Sequence, residues 1–100
     1  MNYQVVEDAL GVCFRISGDL DFSAHADFKK IIDQLANLKG KQVTFDLAGV
    51  GRIDSVGLGL LYIAKEEVGA GVKIRLKSPQ KAVVRMLELT EAQGDFDIQP

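Results

Sequence analysis

The side chains of this sequence best placed to do chemistry meet in one stretch, VGRIDSVGLGLL, residues 50–61. There Asp54 and Ser55 stand together between two glycine-rich patches, just ahead of an apolar run. Ser55 has three readings. It can belong to a helix cap, since Ser and Asp oxygens accept a first-turn N–H at a gain of about 1 kcal/mol. It can be a hydroxyl displayed on a smooth surface of apolar and glycine residues, which makes a docking face with one modifiable group. It can be a nucleophile, because IDSVG half-matches the G-x-S-x-G elbow of hydrolases. The third finds little support: Ile53 fills the first glycine position, and the only histidine, His25, opens an amphipathic segment where a solvated role suffices.

The remaining candidates are weaker. GVGRID places Asp54 where a dinucleotide fingerprint needs its third glycine, and no phosphate-cradling G-x-x-x-x-G-K-S/T follows any strand, so no cofactor is expected. Gly57 and Gly59 read as small residues that let a helix's first turn approach a neighbouring or partner backbone. Lys73, Arg75 and Lys77 read as a solvated strand face. Cys13 is the single cysteine, which excludes an internal disulfide and, with one histidine, a Cys/His zinc cage within one chain.

The elements that must hold Asp54 and Ser55 follow from periodicity. Val12, Phe14 and Ile16 alternate with Cys13, Arg15 and Ser17, and Val43, Phe45 and Leu47 alternate with Gln42, Thr44 and Asp46. Such period-two patterns make half-buried strands. A further strand is expected from Val72 through Ile74 and Leu76, and a last one where Phe96 and Ile98 flank Asp97. Phe28, Ile31, Ile32, Leu35 and Leu38 form a helical stripe, with Ser23 as its expected N-cap. Leu58, Leu61, Ala64 and Val68 share one face of a middle helix, which puts Asp54 and Ser55 at a strand-to-helix turn. Ser78 as cap and Pro79 as first helical residue announce a third helix burying Val83, Val84 and Met86 or Leu87, with Gly94 or Asp95 closing the turn after it.

This order implies an α/β fold with a mixed sheet. The pairing is mostly parallel, the first strand is antiparallel through a turn at Asp8 to Gly11, and the helices lie mainly on one face. The 100 residues, 47% hydrophobic, suit one domain running from 1 to 100. A net charge of −2 with interspersed signs points to neither nucleic acid nor an anionic membrane as partner. The first ten residues, MNYQVVEDAL, lack the features of a signal peptide, and no apolar run reaches the roughly 18 residues of a membrane span. A soluble cytoplasmic protein is expected.

FDLAGVGRIDSVGLGLL, together with GDLDF at 18–22, resembles the STAS domain of bacterial anti-sigma-factor antagonists. That family has a strand ending in D-L, a short loop, then D-S-S/T-G-L/V opening a helix, preceded by G-x-L/I-D after the second strand. LKSPQKAVVRMLELT fits its later part, so the resemblance covers nearly the whole chain. It implies that Ser55 is phosphorylated by a cognate serine protein kinase of the histidine-kinase-like ATPase class, often itself the anti-sigma factor. The unphosphorylated form would bind that partner, and a metal-dependent serine phosphatase would restore it. The implied partner-binding residues are Asp21, Asp54, Ser55, Val56, Gly57 and Leu58, within a surface made of the Gly18–Phe22 loop, the Gly51–Ser55 loop and the exposed side of the middle helix. No catalytic residue, metal or enzyme activity is implied, and the free protein is expected to be monomeric. Val56 stands where a second serine or threonine is usual, leaving Ser55 as sole acceptor. The alternative is a STAS-like structural subunit that docks on a transporter ATPase and is never phosphorylated.

Physical chemistry agrees with the resemblance at Ser55. A phosphate at a helix N-terminus meets unpaired N–H groups and the positive end of the dipole, so the domain itself tolerates it. A packed interface, by contrast, would have to desolvate about −1.5 to −2 charges beside Asp54 and Asp21.

Overall fold

The computed structural model describes residues 1–38 and 40–100. The chain runs β1 (Asn2–Glu7), β2 (Gly11–Ser17), a 3-10 turn (Phe22–Ala24) leading into α1 (His25–Leu35), β3 (Gln42–Gly49), α2 (Ser55–Val68), β4 (Arg75–Lys77), α3 (Lys81–Leu89) and β5 (Asp97–Gln99). The five strands lie in sequence order in one sheet. β1 pairs antiparallel with β2, and every later pairing is parallel. Parallel neighbours need a crossover, and α1, α2 and α3 supply the three that the pairing requires.

Alternation decides which face is covered. Val12, Phe14, Ile16, Val43, Phe45, Leu47, Ile74 and Leu76 are all buried, whereas Cys13, Arg15, Thr44, Asp46, Arg75 and Lys77, of the opposite parity, stay at least partly in contact with solvent. The helices pack on the apolar side. Phe28 of α1 meets Phe45 edge-on with centroids 5.6 Å apart, and Phe14 meets the same ring at 5.7 Å. Leu60, Leu61, Ala64 and Val68 of α2 and Val83 and Leu87 of α3 complete this core. The β1–β2 turn is held by Asp8, whose Oδ1 accepts from the N–H groups of Leu10 and Gly11 at 2.8 and 3.0 Å. Gly11 also opens the β2–β3 ladder, where a Cβ would stand 2.2 Å from the Gln42 carbonyl oxygen.

Several local expectations are corrected. Ser23 does not cap α1: it lies inside the 3-10 turn that Asp21 caps, and α1 begins at His25. The α1 stripe ends at Leu35, so Leu38 packs on the core from beyond the helix. The fourth strand is only Arg75–Lys77, because only these residues find partners between Thr44–Asp46 and Asp97–Gln99. Phe96 is buried ahead of the last strand rather than within it. Neither Ser78 nor Pro79 starts α3: Ser78 has φ 55, which turns the chain out of helical phase, and Gln80 is the N-cap position. In α2, Leu60 shares the buried face while Leu58 is half-buried.

Candidate functional site

The loops after β2 and β3 are fastened to each other before either can present a side chain. The Leu20 N–H donates to the Arg52 carbonyl at 2.9 Å, and the Asp54 N–H donates to the Leu20 carbonyl at 3.2 Å, giving a short parallel bridge between Leu20 and Ile53. Both bridging side chains are buried, Leu20 fully and Ile53 to within 5%. Apolar residues thus anchor the loops from below and leave the polar neighbours Asp19, Asp21, Arg52 and Asp54 to surface around them.

α2 begins where this pair ends. Asp54 has extended backbone angles, φ −111° and ψ −172°, and its Oδ1 accepts from the Gly57 N–H at 2.9 Å. Asp54 is therefore the cap, and Ser55 is the first helical residue. The Ser55 side chain is exposed and has no part in the capping bond, so the capping explanation for this serine does not hold. Gly57 faces inward onto the Leu20 carbonyl and is buried, in keeping with the close approach expected of that glycine. Gly59, two residues on, has nothing within 4 Å of a notional Cβ.

Of the six residues singled out for partner binding, Ser55 and Val56 are exposed, Asp21 and Asp54 half-buried, Leu58 half-buried against the core, and Gly57 buried. Gly57 therefore shapes the surface from beneath rather than forming part of it. Asp21 accepts from the Ser23 N–H at 2.9 Å and from the Ser23 hydroxyl at 2.5 Å. The Ser23 hydroxyl, with help from the Arg52 guanidinium, holds the Asp21 carboxyl below its usual range.

Two contributors lie within the expected loops but have no individual role in the sequence reading. Arg52 places its guanidinium 3.4 Å from Asp21 Oδ2 and 3.9 Å from Asp19 Oδ2, joining the two loops electrostatically. Its sequence signal is a lone arginine between glycine-rich residues, opposite a loop with two aspartates. Phe22 is 77% exposed beside Asp21, and with Val56 at 38% it gives this end of the molecule exposed apolar area, while Ile63, 49% exposed, stands further along α2. Ile63 also lines a shallow groove between α1 and α2 with His25, Ile32 and Leu60. His25 lies in that groove at the start of α1. Among the described residues no cluster of three or more His, Cys, Asp or Glu could hold a metal ion, and no helix is long and apolar enough to cross a membrane.

A mixed five-stranded sheet, three crossover helices and an Asp-Ser helix start welded to the preceding loop define a class, and the STAS domain family model matches residues 1–100. The chain belongs to the STAS domain family. It is 26% identical over 92 residues to a STAS-domain containing protein of Pseudomonas aeruginosa, spanning 91% of this chain and 90% of that protein. Among solved structures, a candidate anti-sigma factor antagonist from Thermotoga maritima superimposes with TM-score 0.82 at 27% identity, over 99% of this chain and 85% of that one. The anti-sigma factor antagonist SpoIIAA in its unphosphorylated form superimposes with TM-score 0.78 at 19% identity, over 99% of this chain and 89% of that one, a likeness of fold.

Proposed function

We propose that this STAS domain is a phosphorylation-controlled binding protein of the anti-sigma-factor-antagonist type, acting in the cytoplasm without enzyme activity of its own. The observation that carries it is the division of labour at the α2 start: Asp54 does the capping, and the adjacent Ser55 hydroxyl is exposed and free to react. In the unmodified state the surface around Asp21, Asp54, Ser55 and Val56 binds a cognate serine kinase or anti-sigma factor of the histidine-kinase-like ATPase class. That kinase catalyses attack of Ser55 Oγ on the γ-phosphorus of ATP. The Oγ–P bond forms, ADP leaves, and the hydroxyl proton passes to a base on the kinase. The modified domain keeps its fold and releases its partner, because the dianion resists burial in an interface. A metal-dependent serine phosphatase reverses the modification.

The test is the intact mass of the protein purified from its native cells, with Ser55→Ala alongside. One added phosphate, absent from the alanine variant, is the expected result. Unmodified protein under every growth condition would favour the non-phosphorylated structural subunit, and undiminished phosphate on the alanine variant would move the acceptor elsewhere.

A further inference from the structure

Arg52 has no task in phosphoryl transfer or in capping α2. Its side chain is 63% exposed and meets Asp19 and Asp21 at 3.9 and 3.4 Å, two loose, solvent-facing contacts. Pairs of that kind are readily exchanged. Ile53 between Arg52 and Asp54 is buried, and Arg52 precedes Ser55 by three residues, so their Cα atoms lie within roughly 11 Å of each other, a distance that a long arginine side chain can largely bridge. Asp54 in turn caps the turn that Ser55 opens.

We propose that Arg52 is the receiving cation for a phosphate on Ser55. On modification its guanidinium leaves the Asp19 and Asp21 carboxylates and forks onto the phosphoryl oxygens. The inference rests on the phospho-switch reading of Ser55 and deepens it. A phosphate monoester offers about −1.5 to −2 charges and three acceptor oxygens, and the planar fork of arginine matches it in two parallel N–H···O bonds. The present contacts, at 3.4 and 3.9 Å, are long and come from two separate carboxylates, neither of which receives the fork in two parallel bonds.

The exchange has a consequence for binding. Asp21 keeps its bonds from Ser23, so the 3-10 turn stays formed, but Asp19 and Asp21 lose their cation. The partner-facing surface thus acquires a phosphate and two uncovered carboxylates, together with Asp54. Phosphorylation thereby repels a partner over both loops instead of at one point, while the domain gains a bond that offsets the new charge.

The experiment uses full-length protein in which phosphoserine is incorporated at position 55 during synthesis, followed by a 31P NMR pH titration of the second phosphate ionisation. The charged groups of the two loops and of the α2 cap are Arg52, Asp19, Asp21 and Asp54, and only Arg52 is varied. With Arg52 present the midpoint should be lowest. Arg52→Gln should raise it by about half a pH unit or more, and Arg52→Lys, a point charge without the fork, should fall between. Equal midpoints in all three proteins would overturn the proposal. Because the phosphoserine is installed directly, the titration reads the Arg52 contact whether or not native cells modify Ser55, and a failed phospho-switch stays distinguishable from a failed contact.

Discussion

Gly57 lies so close to Leu20 that a Cβ added to it would stand 2.0 Å from the Leu20 carbonyl oxygen and 2.7 Å from its carbonyl carbon. The first turn of α2 is thereby seated on the loop after β2, and the same Leu20 carbonyl receives the Asp54 N–H. Ser55 stands on a backbone junction that has no room for a methyl group.

The first prediction follows from that contact. Gly57→Ala forces backbone apart and should cost about 1–3 kcal/mol, as overpacking does. Gly59→Ala, in the same helix with open space around it, should stabilise by up to about 1 kcal/mol through helix propensity. Denaturant midpoints of the two variants should move in opposite directions, and equal shifts would contradict the seating of α2 on Leu20.

Capping gives a second pair. Asp54→Ala removes the acceptor of the Gly57 N–H and should cost about 1 kcal/mol. Ser55→Ala should change stability by a few tenths at most, as surface substitutions without structural bonds do. Urea unfolding separates them; a larger loss at Ser55 than at Asp54 would assign the cap to the serine after all.

A third concerns alkaline pH. The Tyr62 hydroxyl donates to Asp95 Oδ2 at 2.6 Å, tying α2 to the turn before β5, and that bond, with burial, pushes the phenol up to about 12 from its ordinary 10. A folded-state value raised above the unfolded one stabilises fully below the unfolded value and loses that contribution as pH rises through the folded one. The contribution of Tyr62 should therefore be whole below pH 10 and fade between 10 and about 12. Tyr62→Phe should lower stability at neutral pH, with the difference from wild type closing over that interval. Ultraviolet titration should show a late-ionising tyrosine in the wild type that the variant lacks.

Phosphorylation supplies a fourth. In the free domain the dipole, first-turn N–H groups and Arg52 oppose the repulsion from Asp54, so stability should change by no more than about 1 kcal/mol. In the complex an incompletely paired dianion costs several kcal/mol, and each ~1.4 kcal/mol is tenfold, so affinity should fall at least about a hundredfold. Paired thermal melts and partner titrations read both quantities. A large drop in melting temperature at unchanged affinity would mean that modification acts by unfolding.

The partner surface is tested by charge reversal. Asp21→Lys should weaken the complex far more than Lys77→Glu, since Lys77 lies on the sheet face that the helices leave open. Equal effects would remove the loops from the interface.

The sequence by itself determined the order of the elements and most of the faces they bury. A strand's period of two and a helix's 3.6 are local properties, so Val12, Phe14 and Ile16, or Phe28, Ile31 and Leu35, declare their faces wherever they end up. It also placed Asp54 and Ser55 at a helix start. Which of the two would cap was open, because both residue types cap well and they differ by one position. The choice was made by the helix phase, which Leu20 sets from a distant loop by accepting the Asp54 N–H and leaving room only for glycine at 57. The start of α3 was lost for a similar reason: Ser78 hydrogen-bonds through its N–H to the Gln99 carbonyl at 2.7 Å, a pairing no local rule contains. Arg52 is the plainest case, since its partners Asp19 and Asp21 lie on another loop. Nothing in the residues near position 52 names them. They become neighbours only when β2 and β3 pair in parallel and bring the ends of both strands to the same edge.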